Sequence, residues 1–323
     1  MNKPASTIGL IGLGNLGASL ANNLLSHGVD LVVRDLNQAV VDDFVARGAS
    51  RAASPREMAE ACEFVITCLP SPAASAAVVE GPNGLLEGLG PGKVWLEMST
   101  TDEAEIRRLA AKVAAKGATA LECPVSGGCH RAASGNISIF AGGPRAAFER
   151  ALPVLSILGH QILHTGEIGS ASMLKVLTNF LCTAHLVALA EALTTAKVLG
   201  LDMNTTYEGI RISSGNSFVH ETESQVILNG SRDINFTMDL VVKDVGLFDR
   251  LAIDHGVPLE LSPLILRIFK EGVARYGARE HSPNIIRRYE EACGVKVLGT
   301  GFPATMVDNL PKEPGFEVVP NKE

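Results

Sequence analysis

The sequence predicts an α/β protein in two parts: a doubly wound, mainly parallel sheet in the N-terminal half, followed by an all-α C-terminal domain. Three observations predict it. Up to about residue 165, short apolar runs alternate with segments of helical period, the pattern of a parallel sheet covered by helices. After residue 166 the strand-like runs stop and helical period takes over. The chain has 323 residues, more than one hydrophobic core usually serves, so two domains are expected.

Taken in order, strands are expected at residues 7–12, 30–34, 64–69, 93–98, 119–122, 137–141 and 161–164. Each is a short apolar run bounded by glycine or polar residues. Helices are expected between them at 17–26, 37–47, 55–62, 102–116 and 144–158, with Gly28, Gly48 and Gly117 each just past a helical run. The second half opens with one long apolar helical pattern, residues 170–200. Further helices are expected at 205–212, 219–230, 239–255, 258–276 and 285–293. With the hinge near 165–170, the domains are expected at 1–166 and 167–297. Residues 298–323 carry four prolines and no period, and are expected to form an extended tail.

Composition excludes several functions. The chain is 46% hydrophobic and 20% charged, as globular proteins are, which rules out a mainly disordered chain. A net charge of −7 leaves no electrostatic footprint for nucleic acid. The stretch before the first glycines is too short for a signal peptide. The longest apolar region, 173–201, is interrupted by Lys175, Asn179, His185, Glu191 and Lys197, which favours a buried helix over a membrane span. Six cysteines occur without a C-x-x-C pair or a histidine cluster, so no metal is expected and reduced thiols in a cytoplasmic protein are.

The first strand runs into Gly12-Leu13-Gly14-Asn15-Leu16-Gly17 and then a helix. The spacing G-x-G-x-x-G alone is weak, but a strand before it and a helix and second strand after it make it a Rossmann-type dinucleotide turn. Gly12 allows the tight turn, Gly14 lets the backbone approach a pyrophosphate, and Gly17 permits close helix–strand packing. The free amides and the positive end of the helix then hold the phosphate charge. Asp35, at the end of the second strand, stands where an acid binds the adenosine ribose, and a carboxylate there repels a 2′-phosphate. NAD is therefore favoured over NADP. Asp35 could also simply cap the helix that follows, and Arg34 beside it could reach toward a phosphate.

Four further segments interrupt otherwise apolar patterns: Met98-Ser99-Thr100-Thr101, Pro124-Val125-Ser126-Gly127-Gly128, Gly166-Glu167-Ile168-Gly169 with Lys175 and Asn179 beyond it, and Lys243-Asp244. In this order, over roughly residues 7 to 290, they resemble the β-hydroxyacid dehydrogenase family, which includes the 3-hydroxyisobutyrate dehydrogenases. The family's D-x-P-V-S-G-G is Glu122-Cys123-Pro124-Val125-Ser126-Gly127-Gly128 here. Its G-x-x-G-x-x-x-x-x-K-x-x-x-N runs intact from Gly166 through Lys175 to Asn179.

The resemblance implies NAD-dependent oxidation of a small 3-hydroxy acid. Lys175 would be the general acid/base, with Asn179 one helical turn on, on the same face. Ser126, Gly127, Gly128 and Thr100 would bind the substrate. Leu69, Pro70, Ser99 and Lys243 would join the glycine turn and Asp35 at the cofactor, although Lys243 could equally be paired to Asp244. His130 could shape substrate choice. Three positions depart from the family's habits: Glu122 replaces its aspartate, Phe180 follows Asn179, and Leu36 stands where NADP-dependent relatives carry arginine. Imine or ketone reductases of the same fold and non-catalytic dinucleotide-binding scaffolds are the rival readings. Both generally lack the lysine, so Lys175 argues against them. A 6-phosphogluconate-type decarboxylating reaction would need a longer helical domain. The long helix is apolar on more faces than one domain needs, so a homodimer or homotetramer is expected.

Overall fold

The computed structural model describes residues 6–321. Residues 1–5 of the expected first domain and 322–323 of the expected tail lie outside the described residues. The chain forms two compact units, Met1–Lys175 together with Asp308–Glu323, and Val176–Val307.

The first unit is built on a sheet whose strands are β1 (Ile8–Ile11), β2 (Leu31–Arg34), β3 (Ser50–Arg51), β4 (Phe64–Thr67), β5 (Val94–Glu97), β6 (Thr119–Glu122), β7 (Val125–Ser126), β8 (Ile137–Gly142), β9 (Gly159–Gly166) and β10 (Phe316–Glu317). Six strands in the order β3-β2-β1-β4-β5-β6 are mutually parallel, so the order reverses between β1 and β4. In such sheets ligands bind outside the strand ends at that reversal. Beyond β6 the direction flips: β8 is antiparallel to β6, and β9 and β10 follow β8. Strands β1, β4 and β5 are buried throughout, because helices cover both faces, and this is why they read as unbroken apolar runs.

Alternate residues serve opposite faces. Phe64, Ile66, Val94 and Leu96 join the layer under α1 (Asn15–Ser26) and α8 (Arg145–Leu158). Val65 and Trp95 join the other layer, under α3 (Pro55–Ala61) and α6 (Glu103–Ala115). The indole N–H of Trp95 donates to Thr67 Oγ1 at 2.8 Å, so burial of the ring leaves no polar group unsatisfied. The unit also contains α2 (Gln38–Ala46), α4 (Pro72–Glu80), α5 (Leu85–Gly88) and α7 (Gly128–Ser134).

Helix α9 (Ser170–Val198) begins in the first unit and runs on into the second, which contains α10 (Met203–Arg211), α11 (Phe218–Asn229), α12 (Met238–Asp254), α13 (Leu261–Tyr276), a 3-10 turn at Ser282–Ile286 and α14 (Arg287–Cys293). The core of that unit joins Leu186, Ala190 and Leu193 of α9 to Val241, Val245, Phe269 and Ile285. By length and hydropathy alone α9 could cross a membrane, yet its residues Leu186, Val187, Leu189, Ala190 and Leu193 are buried in this core.

The sequence gives no strand beyond residue 164, whereas the C-terminal segment supplies β10, parallel to β9. Helices α4 and α7 also went unforeseen. The first has no sharp polar face, and the second starts on glycines that read as a turn.

Candidate active site

The glycine turn leaves β1 at the sheet's reversal point. Gly12 has φ +98°, and a side chain there would put its Cβ 2.2 Å from the Cys68 carbonyl oxygen. At Gly17 a Cβ would lie 1.9 Å from the Gly12 carbonyl oxygen, so α1 packs against the turn only because that position is bare. Around Gly14 the space is open, and no side chain caps the first turn of α1, which starts at Asn15. A bare, uncapped helix start facing open space fits the pyrophosphate of a dinucleotide. Leu13 is buried, Leu16 packs partly on the core and Asn15 is exposed.

Asp35 is fixed across this turn. Its Oδ2 accepts the Leu13 amide at 2.6 Å and its Oδ1 the Asn37 amide at 2.8 Å. The carboxylate thus ties the glycine turn to the segment leading into α2, whose cap is its neighbour Asn37, accepting the Ala39 amide at 3.2 Å. Arg34 beside it donates to the Ala53 carbonyl at 2.5 Å. A cavity of about 300 Å3 opens here, lined by Arg34, Asp35, Gln38, Arg51 and Ala53 among others.

The ends of β4 and β5 are stitched together. Leu69 donates its amide to Ser99 Oγ at 2.8 Å, and Ser99 donates its amide to Glu97 Oε1 at 2.8 Å. Ser99 and Glu97 are buried, Leu69 and Thr100 are half-buried, and Pro70 is exposed. Burial pushes the Glu97 carboxyl above its ordinary range against the pull of its hydrogen bond from Ser99. Glu97 was read only as part of a strand, and nothing in the sequence marks its hold on Ser99.

The next segment starts at Glu122, which the structure makes more than a departure from a motif. Its carboxylate is completely buried and accepts the amides of Ala171 at 2.9 Å and Ser172 at 3.1 Å, with the Ser172 hydroxyl as a further donor. Glu122 therefore caps the N-terminus of α9, three residues before Lys175. Burial raises its pKa, and the hydrogen bonds from Ser172, Ala171 and Gly169 oppose the rise. Four residues later Ser126 stands opposite Ser138 in the β7–β8 pairing, and Gly127 and Gly128 open α7. His130 folds back over this turn, its ring atoms 3.0 Å from where a Gly128 Cβ would be. Burial, and then the charge of Arg131, push the His130 pKa down.

Lys175 is 7% exposed, a burial lysines seldom reach. In the helical unit, Asn179 donates to Asp244 Oδ2 at 2.6 Å, and Lys243 bonds Asp244 Oδ1 at 2.5 Å. Lys243 thus has the acid-paired arrangement, one of the two its neighbourhood allows. The sequence treated Asp244 only as that lysine's neighbour, while the structure makes it the buried acceptor that aims Asn179.

Residues 7–166 match the family model of the NAD binding domain of 6-phosphogluconate dehydrogenase, and 169–289 that of the NAD-binding domain of NADP-dependent 3-hydroxyisobutyrate dehydrogenase. The chain is 35% identical to 2-(hydroxymethyl)glutarate dehydrogenase of Eubacterium barkeri, over 90% of this chain and 97% of that protein. It is 34% identical to the NAD-dependent L-serine dehydrogenase of Pseudomonas aeruginosa, over 81% and 91%. Among solved structures it resembles Mycobacterium tuberculosis 3-hydroxyisobutyrate dehydrogenase with L-serine, at a TM-score of 0.79 and 26% identity, over 88% of this chain and 98% of that one. The chain therefore belongs to the β-hydroxyacid dehydrogenase family, the 3-hydroxyisobutyrate dehydrogenases among its members, and is an NAD(P)-dependent oxidoreductase.

Proposed function

We propose that the protein oxidises the hydroxyl group of a small 3-hydroxy acid to the aldehyde or ketone, with NAD as acceptor and Lys175 as the general base. The observation that carries this reading is Lys175 itself: a nearly buried ammonium, set in the second turn of a helix whose start is capped by the buried Glu122. An unprotonated lysine amine placed beside the substrate hydroxyl can take its proton. The O–H proton goes to Lys175 Nζ, and the hydrogen on the hydroxyl carbon leaves with both bonding electrons as hydride. Bound NAD supplies the hydride acceptor. In the reverse direction Lys175 returns the proton to the carbonyl oxygen.

Asn179, held by Asp244, orients the substrate oxygen. Ser126, Gly127, Gly128 and Thr100 receive the carboxylate, since exposed amides and hydroxyl groups suit an anion. The glycine turn, Leu69, Pro70 and Ser99 serve the cofactor, while Lys243 is paired to Asp244. NAD is favoured over NADP because the Asp35 carboxylate is pinned beside the turn, where it repels a 2′-phosphate.

Proteins similar to this chain are named for 3-hydroxyisobutyrate, L-serine, L-threonate and 2-(hydroxymethyl)glutarate. The reading is tested by following NAD reduction with these four compounds and D-glycerate. Rapid turnover of at least one supports it, and no turnover of any sinks it. The apolar residues that α9 leaves exposed, Leu177, Leu181 and Val198, support a homodimer or homotetramer built on this helix.

A further inference from the structure

The segment at the C-terminus of the chain lies beyond the residues the family models match, which stop at 289, and it returns to the first unit at Asp308. It is fastened there at two separate places. Its far end is a sheet edge: Phe316 and Glu317 pair with β9, Val318 donates its amide to the Ile162 carbonyl at 2.8 Å, and Glu317 takes a bidentate ion pair from Arg145. Its near end grips α7. Asp308 Oδ2 accepts the Ser134 hydroxyl at 2.5 Å and the Asn136 side-chain amide at 2.7 Å. Lys312 lies over Gly135, the residue that ends α7, and donates to Asn23 Oδ1 at 3.1 Å. Asn23, buried on α1, donates in turn to the Ala132 carbonyl of α7 at 2.6 Å.

Helix α7 has seven residues, too few to be stable on its own helical propensity. Its cap is Gly127 and its first residue Gly128, so the turn assigned above to the substrate carboxylate is the start of this helix. Two glycines with φ of +126° and +84° give that start no stiffness of its own. With Ser126 held by its pairing to Ser138, whatever fixes the far end of α7 therefore fixes the glycine side of the turn.

We propose that residues 308–312 are a strap that positions the turn at Ser126, Gly127 and Gly128 for substrate, with Asp308 as its positioning residue through Ser134 and Asn136. The inference rests on the carboxylate role given to that turn under the proposed function. It assigns the C-terminal segment a part in substrate affinity, separate from its part in the sheet edge.

The test uses the full-length chain and two readouts. The first is hydrogen exchange of residues 127–134, which needs no substrate. The second is steady-state NAD reduction with L-serine and 3-hydroxyisobutyrate as probes. Asp308→Ala speeds exchange in α7 and raises KM for the acid roughly tenfold, with kcat within about threefold and NAD affinity unchanged, as expected when an interaction serves ground and transition state alike. Asp308→Asn keeps one acceptor oxygen and gives an intermediate result. Glu317→Ala, which loosens only the sheet-edge end, leaves α7 exchange and KM at wild-type values. Should Asp308→Ala fail to fold, Ser134→Ala removes one donor and shows a smaller change in the same two readouts.

Unchanged exchange in α7 overturns the proposal. So does faster exchange with an unchanged KM, or equal weakening of acid and NAD. A wild-type enzyme that oxidises neither acid nor any other compound in the panel sinks the function reading instead, and the exchange readout then decides the strap.

Discussion

Asn179 gives its side-chain amide to Asp244, 65 residues further along the chain, and Lys243 holds the second oxygen of the same carboxylate. Asp244 is 2% exposed, so the acid is committed to these two donors. Asp244→Ala takes away the acceptor that orients Asn179 and should lower kcat/KM for the acid by roughly tenfold or more, with a drop in melting temperature. Lys243→Ala removes the more exposed partner and should cost less in both. Steady-state kinetics and thermal melts of the two variants check the order; the reverse order would remove Asp244 from its orienting role.

Lys175→Met should reduce turnover by about a hundredfold to ten-thousandfold, the range a general acid/base contributes. NAD binding should survive, because the glycine turn and Asp35 are untouched. Titration of nicotinamide fluorescence together with single-turnover rates separates the two. A variant that keeps its turnover would exclude Lys175 as the base.

Asp35 accepts the Leu13 amide, and under the proposed function its charge also faces the cofactor ribose. Asp35→Asn keeps an acceptor oxygen for the turn but loses the charge, so the preference for NAD over NADP should shrink with modest loss of NAD affinity. Asp35→Ala loses both and should weaken both cofactors. Comparing kcat/KM for NAD and NADP across the pair tests this, and an Asn variant that still rejects NADP as wild type does would contradict the charge argument.

Glu223 on α11 is 6% exposed, its Oε2 has no hydrogen-bond partner, and burial pushes its carboxyl up to about 8. Its ordinary value is 4.5, so the folded protein binds this proton more tightly than the unfolded chain does. Stability from this group is fully present below pH 4.5 and is lost as pH rises through about 8. Glu223→Gln should therefore melt close to wild type at pH 5 and on the order of 5 °C higher at pH 9. Equal melting differences at both pH values would show that Glu223 does not titrate this way.

A homodimer or homotetramer should scatter light as two or four chains of 34.0 kDa. Leu177→Glu with Leu181→Glu places charge on the exposed stripe of α9 and should give monomers. A wild-type monomer would refute the assembly, and an unchanged assembly in the variant would move the interface elsewhere.

Most of the sheet was legible because β1, β4 and β5 are buried on both faces and leave unbroken apolar runs. The glycine turn was legible because three bare positions are required within six residues. Strand β3 was not, since its two residues are exposed and stay in the sheet only by pairing with β2. Strand β10 lies in a proline-rich stretch and exists through β9, a partner more than 150 residues earlier. The site divided the same way. Lys175, Asn179 and Asp35 stand out by type and spacing. Glu122 looked like a small departure from a motif, and its hydrogen bonds to Ala171 and Ser172 cross 49 and 50 residues. Pattern reading does not reach such distances, because nothing local to Glu122 differs between a carboxylate that caps a helix and one that ends a strand.

Strand β10 also sets an order of events during synthesis. Its residues leave the ribosome only after the whole helical unit has been made, so β9 waits as an exposed edge while some 150 residues emerge. An unpaired edge is a template for pairing with another chain, and a nascent chain offers it to every neighbour on the same messenger. Halting translation after residue 307 would leave a nearly complete enzyme with an open seam, and chaperone demand should peak in that interval rather than after release.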